Sequence, residues 1–221
     1  MRTYVLARAA AVAAVLAVTA LFPHAPHAQD QAAPSVDDTY VLTGFRSADF
    51  GMSEEQVRSA IEADFGVSGE DVVELAQDVQ KTRALAVFTD DILPDTGRAR
   101  IVYLFGYTSG GLIQVTVTMG APVDEEMELR DLLAAGNQLR NHFLTQGYQS
   151  DTVIANQPIN DAQIVFFRGF DVGGRMTLLT LTAPPAPEGD EGATPPPPSL
   201  SLAYILAPEE PDVFEVQPGQ F

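Results

Sequence analysis

The sequence predicts an α+β protein made of two pseudo-repeats, each a helix followed by a four-stranded antiparallel meander, with the helices packed on one face of the sheet. Two observations predict this fold class. Each half of the chain contains one segment with apolar residues at helical spacing, and each such segment is followed by four short runs rich in β-branched and aromatic residues. We expect a single domain at 41–207, with halves at about 45–121 and 122–207.

The chain begins like an export signal. Arg2 and Arg8 accompany an apolar run at 9–22 that is too short to cross a bilayer. We therefore expect a signal peptide at 1–28. The residues that follow, 29–40, are mostly small and polar without periodicity, which predicts a disordered mature N-terminus. The expected location is the periplasm or the exterior, with no membrane insertion after cleavage.

The composition excludes several classes of function. Lys and Arg number 12 against 30 Asp and Glu, and the net charge is −18. Such a surface repels nucleic acid phosphates and anionic lipid headgroups. The chain has no cysteine, so disulfides, thiol catalysis and cysteine metal sites are all excluded. The hydrophobic core alone must stabilise the fold.

The first helix is specified by its two ends. Ser53 is a good N-cap, and Gln56 completes a capping box three residues later. Met52 and Val57 occupy the positions of a hydrophobic staple, and Gly66 provides a left-handed stop. The apolar stripe between them consists of Val57, Ala60, Ile61 and Phe65. A one-sided stripe indicates a helix that packs against a sheet rather than one that carries a site.

Four strand-like runs follow, and the turn between the last two predicts their register. A three-residue turn at 109–111 places Phe105 opposite Val115 and Tyr103 opposite Val117, so that apolar residues face each other.

This register leaves Arg100, Gln114, Thr116 and Thr118 together on the opposite face. Their aliphatic neighbours there are Val102, Leu104 and Leu112. A sheet covered by helices on one side presents its other side to water or to a partner, and a mixed surface of this kind suits protein docking. We take these four polar residues as candidate partner contacts. The alternative is that this face is an ordinary sheet surface exposed to solvent.

The second half repeats the pattern. Asp124 is expected to cap a helix that Gly147 ends, about 35 Å long. Four more strand-like runs follow, and Gly173 and Gly174 predict a tight hairpin between the middle pair.

Two polar segments interrupt or follow the second half. The last two strands are separated by a proline-rich acidic loop at 184–199, which is expected to project from the sheet. An acidic tail at 208–221 is expected to be mostly unstructured, with Val213, Phe214 and Val216 as residues that could dock.

Side chains for catalysis or metal binding are scarce. Outside the leader the histidine is His142, near the end of the second helix, where a helix-dipole interaction explains it better than catalysis does. Asp90, Asp91 and Asp95 lack the spacing of a calcium loop and fit a turn between strands. No phosphate-binding, zinc or dinucleotide motif occurs. We predict no catalytic residue, no metal and no cofactor; an enzyme would be limited to carboxylate or metal chemistry.

The stretch "FGMSEEQVRSAI", together with the doubled helix-plus-meander pattern, resembles two groups of bacterial envelope proteins. These are the small outer-membrane assembly lipoproteins of the SmpA/BamE type and the tandem-repeat beta-lactamase inhibitor proteins. The resemblance implies helices lying on an antiparallel sheet, and a concave sheet that grips a protein target.

The sequence therefore predicts an exported, non-enzymatic interaction module of the cell envelope, which binds another envelope protein through the open face of its sheet. The alternative is a periplasmic carrier or sensor of a small apolar ligand held between the helices and the sheet.

Overall fold

The computed structural model describes residues 39–77, 79–90, 92–94, 96–186 and 194–215. Within them the chain is an α+β protein with two α-helices, an eight-stranded antiparallel sheet and a small two-stranded sheet. The signal peptide expected at 1–28 lies outside the described residues. So do most of the N-terminal segment expected to be disordered, the middle of the proline-rich loop and Val216.

The first helix, α1 (Glu54–Phe65), has the ends that the sequence predicts. Gln56 Oε1 accepts from the Ser53 N–H at 2.9 Å and the Ser53 hydroxyl accepts from the Gln56 N–H, which completes the capping box. Gly66 is left-handed with φ 67° and caps the C-terminus. A small hairpin of β1 (Gly44–Phe45) and β2 (Ala48–Asp49), which the sequence did not predict, precedes the helix.

The main sheet contains every strand that the sequence predicts. Its strands are β3 (Val73–Gln77), β4 (Thr82–Asp90), β5 (Arg98–Phe105), β6 (Leu112–Gly120), β7 (Ile154–Asn160), β8 (Gln163–Phe170), β9 (Met176–Thr182) and β10 (Ser199–Ile205). They lie in the order β3-β4-β5-β6-β10-β9-β8-β7, and all neighbours are antiparallel. The last strand of each meander, β6 and β10, therefore pair at the centre of the sheet.

The predicted register between β5 and β6 is wrong by two residues. Tyr103 lies opposite Val115, not Val117, and Arg100 lies opposite Thr118. Because side chains alternate with a period of two, this shift keeps most side chains on the predicted face.

A β-bulge at the start of β6 moves Leu112 and Ile113. Leu112 pairs with Phe105 and is fully buried in the core, although the sequence placed it on the opposite face; Ile113 takes its place there. The Leu112 backbone is hydrogen-bonded to the segment before α1, because its N–H donates to Met52 O and its carbonyl accepts from the Gly51 N–H, both at 2.9 Å. This long-range pairing accounts for the difference.

The second helix, α2 (Leu129–Leu144), is shorter than predicted. It has 16 residues and a length of about 24 Å, begins after Glu128 and ends before Gly147. Asp124 does not cap it. Its carboxylate instead accepts from the Arg98 N–H at 3.3 Å, tying this loop to the start of β5.

The hairpin between β8 and β9 turns at Gly173 and Gly174, as predicted. The turn is organised by Asp171, whose fully buried carboxylate accepts from the backbone N–H groups of Leu42, Gly173 and Arg175 at 2.8–2.9 Å. These donors compensate the buried charge, so Asp171 is a structural residue.

Both helices contact the same face of the sheet. On α1, Arg58 pairs with Glu74 of β3 at 2.6 Å. On α2, the ring of Phe143 lies 5.2 Å from that of Phe167 on β8, and Gly136 lets the helix approach Phe166 closely. This helix-covered face contains the core.

The other side of the sheet is called the open face below, because both helices of the described chain pack on the core side. Its central side chains are Phe88 of β4, Arg98, Arg100, Val102 and Leu104 of β5, Gln114, Thr116 and Thr118 of β6, Ser201, Ala203 and Ile205 of β10, Met176, Leu178 and Thr180 of β9, and Val165, Arg168 and Phe170 of β8.

Candidate functional site

The four residues that the sequence predicts as partner contacts lie side by side on the open face. Arg100 is directly opposite Thr118, and the Gln114 side-chain amide donates to the Thr116 hydroxyl at 2.9 Å. All four are half-buried. They lie on two of the four central strands of the sheet, where a docked partner would cover them.

A row of hydroxyl groups extends these contacts into the second half of the chain. Ser201 lies opposite Thr118, and Thr180 lies opposite Ser201 on the next strand. Neither Ser201 nor Thr180 is predicted as a contact from the sequence. Their strands alternate polar and apolar residues, but nothing local reveals that β10 pairs with β6.

Apolar side chains flank the hydroxyl row. In the next row of the sheet Val102, Thr116, Ala203 and Leu178 are consecutive cross-strand neighbours. The row beyond it contains Leu104, Gln114, Ile205, Met176 and Phe170. The open face is thus a mixture of hydroxyl, amide, aliphatic and aromatic groups.

Arginines provide the charge of the open face. Arg100 and Arg168 form no ion pair within the described part of the chain, and the Nε atom of each is buried without a hydrogen-bond partner there. The guanidinium of Arg98 lies 4.8 Å from the ring centre of Phe88. Among the described strand residues that face this side, the acidic one is Asp90, at the end of β4.

The C-terminal tail, which we define as residues 206–215, borders one end of the open face. This is the end at which β5 finishes and β6 begins. The tail and the strands enclose a cleft of about 460 Å³ whose floor includes Leu104, Gln114 and Ile205. The rings of Phe214 and Tyr107 form a T-shaped pair with their centroids 5.5 Å apart, and the Lys81 ammonium lies 3.7 Å from the Phe214 ring centre. Phe214 therefore docks, as the sequence suggested it could.

Asp212 fixes this tail to the hairpin between β5 and β6. Its carboxylate accepts from the N–H groups of Thr108 and Ser109, each at 2.8 Å, and its carbonyl accepts from the Tyr107 N–H. Hydrogen bonds from Ser109 and Thr108 lower the pKa of Asp212 to about 2. At Gly106 a Cβ would overlap the Asp212 carboxylate, so a larger residue there would have to displace this carboxylate from the hairpin.

In the described part of the chain, a small cavity lies on the helix-covered face between α2, β6 and β10. Its volume is about 110 Å³. Its lining is mainly apolar and consists of Phe45, Arg46, Ile92, Leu93, Val117, Met119, Leu139, Leu202 and Tyr204. Cavities for drug-sized ligands usually measure about 300–1,000 Å³. Burial raises the pKa of Tyr204 and of Tyr103 beneath the helices, so both phenols are neutral core groups.

Of the groups considered for catalysis, the structure describes His142 on α2 and Asp90 on β4. His142 is exposed in the last turn of α2, with its ring against Phe143. Asp91 and Asp95 lie outside the described residues. Across the described ranges, no three acidic or histidine side chains are grouped so that they could hold a metal ion, and neither helix there has the length and apolarity of a membrane span.

Comparison with protein-family models, with curated proteins and with solved structures finds no match. The resemblance to helix-plus-meander envelope proteins stays an interpretation of the sequence.

Proposed function

We propose that this chain is a non-enzymatic protein-interaction module, and that it binds another protein through the open face of its sheet. The observation that carries the proposal is the mixed surface at the centre of this face, formed by Arg100, Gln114, Thr116, Thr118 and their neighbours on β10 and β9. These residues are half-buried, yet the described helices pack on the other side.

The composition of the open face supports a protein partner. Protein interfaces are enriched in arginine, methionine and aromatic residues and depleted in lysine and in acids. Arg100, Arg168, Met176, Phe88 and Phe170 give the open face this composition. The cleft beside the tail adds a concave region that suits an apolar side chain of the partner.

We further propose that the two halves are pseudo-repeats. In support, each half contributes one helix and then four strands in the same order, and the fourth strands pair at the centre of the sheet. A duplicated unit of this kind would explain why the contact surface draws on both halves.

The proposed location is the bacterial periplasm or the exterior of the cell, and the proposed partner is an envelope protein. The support is the signal-like leader, with Arg2 and Arg8 accompanying a short apolar run.

A carrier or sensor of a small apolar ligand is the alternative. It would need a cavity between the helices and the sheet, and the one between α2, β6 and β10 has about 110 Å³. That volume is below the range for drug-sized ligands, so the open face supports docking better than this cavity supports carriage.

Affinity capture tests the proposal. The tagged mature protein is incubated with an envelope extract of its own organism, and retained proteins are identified by mass spectrometry. We expect a specific partner with the wild type and its loss with Thr116→Glu, because the new carboxylate would lie in the middle of the contact surface. Charge reversal at Arg100 should have the same effect without unfolding the protein.

The matched control is Thr43→Glu, which makes the same chemical change at an exposed position outside the main sheet. Circular dichroism checks that each variant is folded. Equal capture by Thr116→Glu and wild type would count against the open face, and capture lost with Thr43→Glu as well would show an unspecific charge effect.

A further inference from the structure

We infer that the partner presents an acidic segment to the open face, with one carboxylate placed to meet Arg100 at the end of the hydroxyl row and another to meet Arg168, which lies across the sheet in the neighbouring row. This inference rests on the proposed function and specifies the chemistry of the partner.

The positions of the two arginines define the length of the segment. Arg100 lies on β5 and Arg168 on β8, four strands apart in the order β5-β6-β10-β9-β8. With neighbouring strands about 4.8 Å apart, the separation across the sheet is about 19 Å. About six extended residues cover that distance. Arg100 shares its row with Thr118, Ser201 and Thr180, whereas Arg168 lies opposite Leu178 in the next row. A segment that joins the arginines therefore crosses the sheet obliquely, and the three hydroxyl groups lie beside its backbone.

Both arginines lack a counter-charge on this chain. Each side chain is half-buried, each Nε atom is shielded from water, and no described carboxylate forms an ion pair with either guanidinium. A partly desolvated charge without a partner is unfavourable, and a carboxylate can bind a guanidinium in a bidentate manner. A partner with acidic side chains would supply the missing groups.

The charge distribution of the whole chain also favours an acidic partner at this face. The chain carries a net charge of −18, whereas the centre of the open face carries Arg98, Arg100 and Arg168, with Asp90 at one margin and Glu210 and Asp212 of the tail along the cleft at the other. The acidic surface repels an acidic segment, and the arginines of the open face attract it. These charges would orient the partner as it approaches and disfavour its binding elsewhere on the chain.

Apolar groups beside the arginines favour a polypeptide over other polyanions. Arg168 lies 5.8 Å from the ring centre of Phe170, next to Met176 and Leu178. Nucleic acid and anionic lipid surfaces are bound chiefly through clustered cationic groups, which the net charge opposes. An acidic peptide with apolar side chains uses both parts of the surface.

The experiment compares three synthetic peptides by fluorescence anisotropy with the mature protein. All share one background of Ser, Thr, Leu and Tyr, and they differ at two positions six residues apart, which hold Glu, Gln or Lys. We expect the Glu peptide to bind about tenfold more tightly than the Gln peptide, and the Lys peptide most weakly. Arg100→Gln and Arg168→Gln should each bring binding of the Glu peptide close to that of the Gln peptide.

Arg130→Gln is the matched control, because Arg130 is an exposed arginine at the start of α2. This variant should bind the Glu peptide like the wild type. The inference is overturned if the Glu and Gln peptides bind equally, if no peptide binds, or if Arg130→Gln weakens binding as much as Arg100→Gln does. Arginine-dependent binding to phosphatidylglycerol vesicles in place of the Glu peptide would also overturn it, in favour of a membrane surface.

The same peptides separate this inference from the proposed function. Equal binding of the Glu and Gln peptides that Thr116→Glu abolishes would refute an acidic partner and leave the open face as a docking surface. Binding of the Glu peptide that Thr116→Glu leaves unchanged would contradict the proposed surface itself.

Discussion

At the scale of single residues, Asp212 fixes the position of the tail that borders one end of the open face. The local sequence around it is an acidic, proline-containing stretch that looks unstructured. Its carboxylate nevertheless takes two backbone N–H donors from the β5–β6 hairpin, and Phe214 follows it onto Tyr107. One side chain thus converts the expected free tail into a border of the candidate site.

The pKa of Asp212 predicts how the tail responds to acid. The hydrogen bonds lower this pKa to about 2, whereas a free aspartate has a pKa of about 3.9. Their stabilising contribution is complete above about pH 4 and is lost as the pH falls through about 2. In NMR titrations, the Asp212 carboxyl and the Thr108 and Ser109 amides should share a midpoint near pH 2.

Asp212→Asn is the matched variant, because it retains the shape and removes the charge. The amide transition of Thr108 and Ser109 should disappear, and both amides should exchange with solvent about tenfold faster or more. A carboxyl midpoint close to that of a free aspartate, with unchanged amides in the variant, would contradict the docked tail.

At the scale of elements, α1 and α2 show when the sequence defines a helix end. For α1, the Ser53 and Gln56 hydrogen bonds connect residues three apart, so their geometry depends on local sequence. For α2, Asp124 is an equally good cap by sequence, but its carboxylate accepts from the Arg98 N–H across the fold. A local pattern cannot distinguish these uses of one carboxylate.

The capping box of α1 predicts a measurable loss of stability. Ser53→Ala removes the acceptor for the Gln56 N–H and should destabilise the protein by about 1 kcal/mol. For a domain of this size, thermal unfolding should shift down by about 2–4 °C. The experiment is thermal unfolding followed by circular dichroism.

Ser59→Ala in the same helix is the control. Ser59 is exposed, and its hydroxyl donates only to the Glu55 carbonyl one turn earlier. Alanine is the better helix former there, so the unfolding temperature should stay constant or rise. A decrease as large as that of Ser53→Ala would show that the cap has no special contribution.

Strand register shows the same limit of local information. Apolar alternation predicts which face most residues of β5 and β6 occupy, and the structure places Arg100, Gln114, Thr116 and Thr118 together. The bulge that exchanges Leu112 and Ile113 depends on backbone hydrogen bonds to the segment before α1. These hydrogen bonds join residues about sixty positions apart. The residues of the turn therefore cannot predict the bulge.

At the scale of the whole molecule, the sheet joins its two meanders through β6 and β10. The sequence predicts the strands and which residues face the helices. It does not predict this pairing, because no feature of either strand's sequence identifies the strand beside it. Half of the candidate surface, including Ser201, Thr180 and Arg168, follows from that pairing. The sequence therefore identifies one half of the surface, and the fold adds the other.

The central claim is that a protein partner contacts the open face, and site-specific photocrosslinking in cells tests it most directly. A photoreactive amino acid is placed at Thr116 or Ser201, on opposite sides of the β6–β10 junction, and at Thr43 as a control outside the main sheet. We predict that Thr116 and Ser201 yield an adduct with the same envelope protein and that Thr43 does not. If neither open-face position yields an adduct, or if Thr43 yields the same one, the open face is not the docking surface.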